Sequence, residues 1–236
     1  METNYNTDDT LTAGDTPTTN GAGDAREVAL PAMNITASFQ QLGIFVIDGS
    51  GSMTEKISAM MTKAQAANKA TRELLTRFKA SRKQDFFSFA VVTFDGKAST
   101  RLGATPASQV DDNASYDPLQ GHGGGTFIGG GLEEAGKIAQ QFLASARPDI
   151  PTSVVIIVLS DGACGNPVQT KAIAEQLKRN EKITLCAAYL CAKGQSGSGV
   201  LETLEEIASD PVVGCKTVYD AETLRAFFVS SVSAGR

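Results

Sequence analysis

The sequence predicts an α/β fold of three layers: a mostly parallel sheet with helices on both faces and one short antiparallel edge strand. Three observations carry this. The runs Gly43–Ile47 and Val154–Leu159 are apolar at every position, the mark of strands covered on both faces. Segments with apolar residues every three or four positions alternate with such runs, the chain order of β–α–β units. The 236 residues are 42% apolar and 20% charged, which suits a packed core and excludes a disordered or collagen-like chain.

The elements follow in order. Residues 1–36 are rich in Thr, Asn, Asp and Gly. They bury too little apolar surface to offset their ordering entropy and are expected to form a disordered acidic tail, with the folded domain over 37–236. After the first strand, Ile57, Met60, Met61, Ala64, Ala67, Thr71, Leu74, Leu75 and Phe78 recur at helical spacing. They read as one face of a long helix that ends in the basic stretch 77–83. Residues 85–94 form a second strand, Asp95-Gly96 a turn, and 98–102 the antiparallel edge. A polar, irregular region runs to about Gly125, followed by a helix over 130–145 and the central strand 154–159. The remainder reads as helix 168–180, strand 183–190, helix 200–208, strand 216–219 and helix 221–232.

The formal charge is −5, but it is unevenly placed. Residues 1–27 hold six of the 26 acids and one of the 21 bases, leaving 20 of each elsewhere. The folded part is therefore neutral, without the basic surface that a generic nucleic-acid binder needs. No stretch approaches about 18 uncharged apolar residues, so no membrane span is expected. The N-terminal residues lack the basic and apolar regions of a secretory signal. Cys164, Cys186, Cys191 and Cys215 form no C-x-x-C pair. They read as small buried hydrophobes in a reducing cytoplasm.

In open α/β sheets, ligands sit beyond the carboxyl ends of the strands. The first strand ends in Asp48-Gly49-Ser50-Gly51-Ser52, the central strand in Ser160-Asp161-Gly162, and the loop between them carries Gly123-Gly124-Gly125-Thr126. Converged on one edge, Asp48, Ser50, Ser52, Thr126 and Asp161 offer two carboxylates and three hydroxyls. That set suits Mg²⁺, with Mn²⁺ or Ca²⁺ as alternatives, and is poor for zinc. Because hydroxyls are neutral, an ion held there keeps positive charge facing outward and favours an incoming Asp or Glu. Taken singly, each segment has a plainer reading: an ordinary loop with Ser52 as N-cap of a helix beginning near Met53, a common turn, and a flexible loop with a capping Thr.

Together, the D-x-S-x-S run Asp48–Ser52, Gly124-Gly125-Thr126 and Ser160-Asp161-Gly162 resemble the von Willebrand factor A (VWA) family and its metal-ion-dependent adhesion site (MIDAS). The resemblance covers roughly residues 38–232. It implies a Rossmann-like sheet carrying a Mg²⁺ completed by a partner's carboxylate. It also implies Ser50, Ser52 and Thr126 as direct ligands, with Asp48 and Asp161 often acting through water. The Gly-Ser-Gly-Ser-Met start is similar to that of the intracellular bacterial branch, including tellurium-resistance-type proteins. VWA proteins of that branch are often encoded beside kinases, phosphatases or AAA+ ATPases, which are therefore candidate partners. The expected function is a cytoplasmic, non-enzymatic, metal-dependent protein-interaction module.

The competing reading is a metal-dependent phosphatase-like hydrolase with Asp48 as nucleophile. Such enzymes want a general acid two residues later, where this chain has Ser50. His122, the only histidine, is expected to be structural or exposed. Asp111, Asp112 and Asp117 read as solvated loop charges, and residues 194–199 as a surface loop. The glycine-rich run 121–131 lacks the Lys-Ser or Lys-Thr of a P-loop.

Overall fold

The computed structural model describes residues 39–195 and 197–234; the expected tail, residues 1–36, lies outside them. The architecture is the predicted three-layer α/β fold. The central strand β1 (Gln40–Asp48) is buried at eight of nine positions. It pairs in parallel and in unbroken register with β4 (Phe87–Phe94) on one side and β6 (Thr152–Ser160) on the other. Beyond β6, β7 (Ile183–Leu190) and β8 (Cys215–Val218) extend the parallel sheet. Beyond β4, β5 (Ala98–Pro106) pairs antiparallel and forms the edge. The strand order is β5-β4-β1-β6-β7-β8.

Side-chain alternation along β1 sorts the core into two layers. Phe45 and Ile47 face a cluster containing Leu74 and Leu75 of α1 (Lys63–Lys79) and Leu224 and Phe228 of α5 (Ala221–Ala234). Leu42, Ile44 and Val46 face the opposite cluster. Its helical members come from α2 (Ile128–Ser145), α3 (Pro167–Lys178) and α4 (Ser198–Ile207).

One element departs from expectation. The helix read from Ile57 onward begins only at Lys63. The chain before it makes a 3₁₀ turn (Gly51–Thr54) and a small antiparallel hairpin of β2 (Lys56–Ser58) and β3 (Met61–Thr62). Ile57 is buried by strand alternation, which happens to match the helical spacing, whereas Met60 is 88% exposed at the hairpin turn. The true helix start is a capping box. Thr62 Oγ1 accepts from the Gln65 amide at 3.2 Å, and Gln65 Oε1 accepts from the Thr62 amide at 2.9 Å. Ser52 therefore caps no helix.

Helix α2 approaches β1 and β4 closely because Gly131 faces them. A Cβ there would lie 2.7 Å from Val46 Cγ1 and 2.9 Å from Phe94 Cδ1. Gly131→Val should therefore lower folding stability by at least about 2 kcal/mol through overpacking, as measured by urea denaturation. A variant as stable as wild type would show that α2 can lift from the sheet at no cost.

Candidate metal centre

The carboxyl ends of β1 and β6 lie side by side, so Asp48 and the Ser160-Asp161 pair meet where the connection from β1 leads to one side of the sheet and the connection from β6 to the other. Asp48 is fully buried. Its Oδ1 accepts from the Ser50 amide at 2.8 Å and its Oδ2 from Ser160 Oγ at 2.6 Å. Ser50 Oγ lies 3.1 Å from Ser52 Oγ, and Ser52 Oγ donates to Asp161 Oδ1 at 2.7 Å. Four of the five predicted residues thus form one continuous hydrogen-bonded chain. Thr126 joins through Gly162. The point where a Gly162 Cβ would stand is 3.2 Å from Thr126 Oγ1 and 3.5 Å from Ser52 Oγ, so both hydroxyls face that small space.

The backbone is held close around these groups. Gly49 donates its amide to Phe94 O at 2.6 Å, and a Cβ at Gly49 would lie 2.1 Å from the Pro118 carbonyl oxygen. Only glycine permits that approach. The Thr126 loop is fixed from below. Asp95, just past β4, accepts from the amides of Gly124 (3.1 Å) and Lys97 (3.0 Å). The His122 side chain is fully enclosed, with Nε2 2.9 Å from Thr93 Oγ1 and Nδ1 3.1 Å from Asp95 Oδ1. His122 is therefore structural, as expected, and supports the loop rather than the donor set. Burial works to raise the Asp95 pKa, but the hydrogen bonds from Lys97, His122 and Gly124 outweigh it and pull it down to about 2.

Other residues went unread in the sequence. Ser160 is the hydroxyl that satisfies Asp48. Lys63, the first residue of α1, is 4% exposed, and its Nζ donates to Asp161 Oδ2 and Glu55 Oε2, both at 2.7 Å. Burial works to lower the Lys63 pKa, but Asp161 and Glu55 outweigh it and hold it above the ordinary lysine value. The two contacts are unequal. The Glu55 side chain is 58% exposed, so that contact is worth at most about 1 kcal/mol. The Asp161 side chain is fully buried, and breaking such a pair from one side costs about 3–5 kcal/mol.

Asp111, Asp112 and Asp117 stay out of the donor set, closing local turns or pairing with Lys79. Of the cysteines, Cys164 is partly exposed and Cys186, Cys191 and Cys215 are buried; all four are free thiols. The converging donors are oxygens only, which fits a hard divalent cation. Among the described residues, no three His, Cys, Asp or Glu side chains are grouped so as to hold a metal ion. Among these residues, too, no helix is long and apolar enough to cross a membrane.

Comparison with known proteins agrees with this architecture. Residues 44–230 match the family model described as the von Willebrand factor type A domain. Among curated proteins none matches the sequence. Similar solved structures include the pilus adhesin SpaC of Lactobacillus rhamnosus GG in its open conformation. That match has a TM-score of 0.65 at 11% identity, covering 84% of this chain and 30% of the adhesin. A von Willebrand factor type A protein from Catenulispora acidiphila matches with a TM-score of 0.61 at 21% identity, covering 84% and 43%. Proximal thread matrix protein 1 of the mussel byssus, with its MIDAS motif occupied by zinc, gives a TM-score of 0.54 at 21% identity, covering 84% and 46%. This chain thus spans less than half of each of these three structures.

The site strains its own acid. Burial, only partly offset by Ser160 and Ser50, raises the Asp48 pKa from 3.8 to about 6. The folded, metal-free protein therefore binds an extra proton between these values, and its stability falls as pH rises through that window. Asp48→Asn keeps the amide contact, and the Ser160 hydroxyl can turn to accept from the new side chain. In EDTA at pH 7 this variant should be more stable than wild type by about 2–3 kcal/mol, with the gain gone near pH 4. Urea denaturation at the two pH values measures it, and equal stability at pH 7 would contradict the strain.

Proposed function

The chain belongs to the von Willebrand factor type A domain family, and we propose that it is a metal-dependent protein-interaction module whose five-residue MIDAS is complete. The observation that carries this reading is the linked set Asp48, Ser50, Ser52 and Asp161, with Thr126 facing the same space. Ser50, Ser52 and Thr126 would hold the ion directly, with the two carboxylates behind them. A Mg²⁺-type ion bound there supplies positive charge and an open coordination position for an acidic side chain of a partner protein. The residues of this chain orient the hydroxyls, keep the carboxylates desolvated and fix the loop that brings Thr126.

The burial of Asp48 favours binding over hydrolysis. Both of its oxygens are engaged and none of its surface is exposed, so it lacks the access a nucleophile needs. The proposal includes a bacterial, cytoplasmic multi-protein system of the tellurium-resistance type as the setting, with a kinase, phosphatase or AAA+ ATPase as the partner class. The domain is proposed to span 37–236.

Capture of a partner from a lysate by tagged protein should occur in Mg²⁺ and be reversed by EDTA. Asp48→Ala and Thr126→Ala should each reduce that capture at least about tenfold. Capture that ignores both EDTA and these substitutions would reject the site as the binding surface. Robust Mg²⁺-dependent cleavage of a generic phosphoester by the purified protein would favour the hydrolase instead.

A further inference from the structure

Lys63 stands where helix physics disfavours it. The positive end of the helix dipole lies at the start of α1, and cations are unfavourable there. Burial adds a second cost, since a desolvated ammonium needs compensating partners. A buried lysine at a helix N-terminus is thus a local conflict, the kind that native proteins retain mainly at functional sites. The contacts show where the compensation comes from. Lys63 Nζ binds Asp161 Oδ2, while the other oxygen of the same carboxylate binds Ser52 Oγ, which is 3.1 Å from Ser50 Oγ. The ammonium therefore sits one carboxylate away from the hydroxyl set. Its second partner, Glu55, lies toward solvent on the chain leading into the β2–β3 hairpin, and Glu55 O accepts the Lys63 amide at 2.9 Å.

We propose that Lys63 is a tethered internal cation that competes with the external divalent ion for Asp161; this rests on the metal-centre reading above. In the metal-free protein the ammonium neutralises Asp161 and keeps two facing acids, Asp48 and Asp161, from opposing one another. An arriving dication meets a carboxylate already shared with a positive charge in a water-poor site, where like charges repel strongly. Lys63 thus raises the metal concentration needed to load the site, and it couples loading to the position of the helix start. Removing its charge should have opposite effects on the two states: the metal-free fold loses a buried partner, and the metal gains an uncontested carboxylate.

The test uses the full chain, with Mn²⁺ as probe and free aquo-ion followed by electron paramagnetic resonance. Lys63→Met should bind Mn²⁺ about tenfold more tightly than wild type, or more. In EDTA the same variant should melt about 5 °C lower or more. Lys63→Gln, which retains a hydrogen-bond donor, serves the same purpose if the Met variant fails to fold. Lys63→Arg, which keeps the charge, should stay within about threefold of wild type. Binding by wild type and Lys63→Met with equal or weaker affinity in the variant would overturn the competition while leaving the metal centre standing. So would an arginine variant that tightens as much as the methionine one. Binding in the Met or Gln variant alone would support the competition in its strongest form. Failure of all these proteins to bind Mn²⁺, or binding that survives Asp48→Ala, would overturn the metal centre itself and the competition with it.

Discussion

The molecule is organised around one electrostatic constraint: two carboxylates are held out of water, side by side, at the end of a parallel sheet. A buried carboxylate is costly unless it is hydrogen-bonded or paired, and the surrounding chain supplies those partners. Asp48 takes an amide from its own loop and a hydroxyl from the neighbouring strand. Asp161 takes a hydroxyl from the first loop and an ammonium from the first helix. These donors come from the loop after β1, from β6 and from α1, so satisfying the two acids also ties those three elements together at one corner. The stability of the fold and the chemistry of the site are therefore not separable here.

The layer order and the convergence of Asp48, Ser50, Ser52 and Asp161 were readable because they follow from pattern. An apolar run as short and as β-branched as 154–159 reads as a buried strand rather than a helix, and once the sheet is parallel its strand ends bring Asp48 and Asp161 together. The hairpin was unreadable for a physical reason. Ile57 alternates inward as a strand residue at a spacing that also continues the helical stripe, so periodicity could not separate the two. The Thr62-x-x-Gln65 cap was the available signal, and reading it would have placed Lys63 at a helix start. A lysine there is an anomaly that sequence alone can raise. Only the fold shows that Asp161, 98 positions later, resolves it.

Structures with 11–21% identity share this fold. At such distances the apolar pattern carries the architecture, while particular polar side chains decide what a site does. His122 illustrates the difference. A lone histidine in a glycine-rich loop invites a ligand role, yet its ring is enclosed between Thr93 and Asp95. Its contribution is to the rigidity of a loop that would otherwise be too glycine-rich to hold a threonine in place.

The unbroken pairing of β1 on both sides has a mechanical consequence. The strand is 9 residues long, roughly 30 Å at about 3.3 Å per residue, with Gln40 at one end and Asp48 at the other. Tension applied between the chain entering at Gln40 and anything gripped at the Asp48 end would run along β1. It would load two ladders of hydrogen bonds in shear. Bonds loaded that way share the force and yield together, whereas a terminal edge strand such as β5, peeled from one end, gives way bond by bond. The site thus lies at the end of the best-anchored strand in the sheet, where traction is resisted by the whole core.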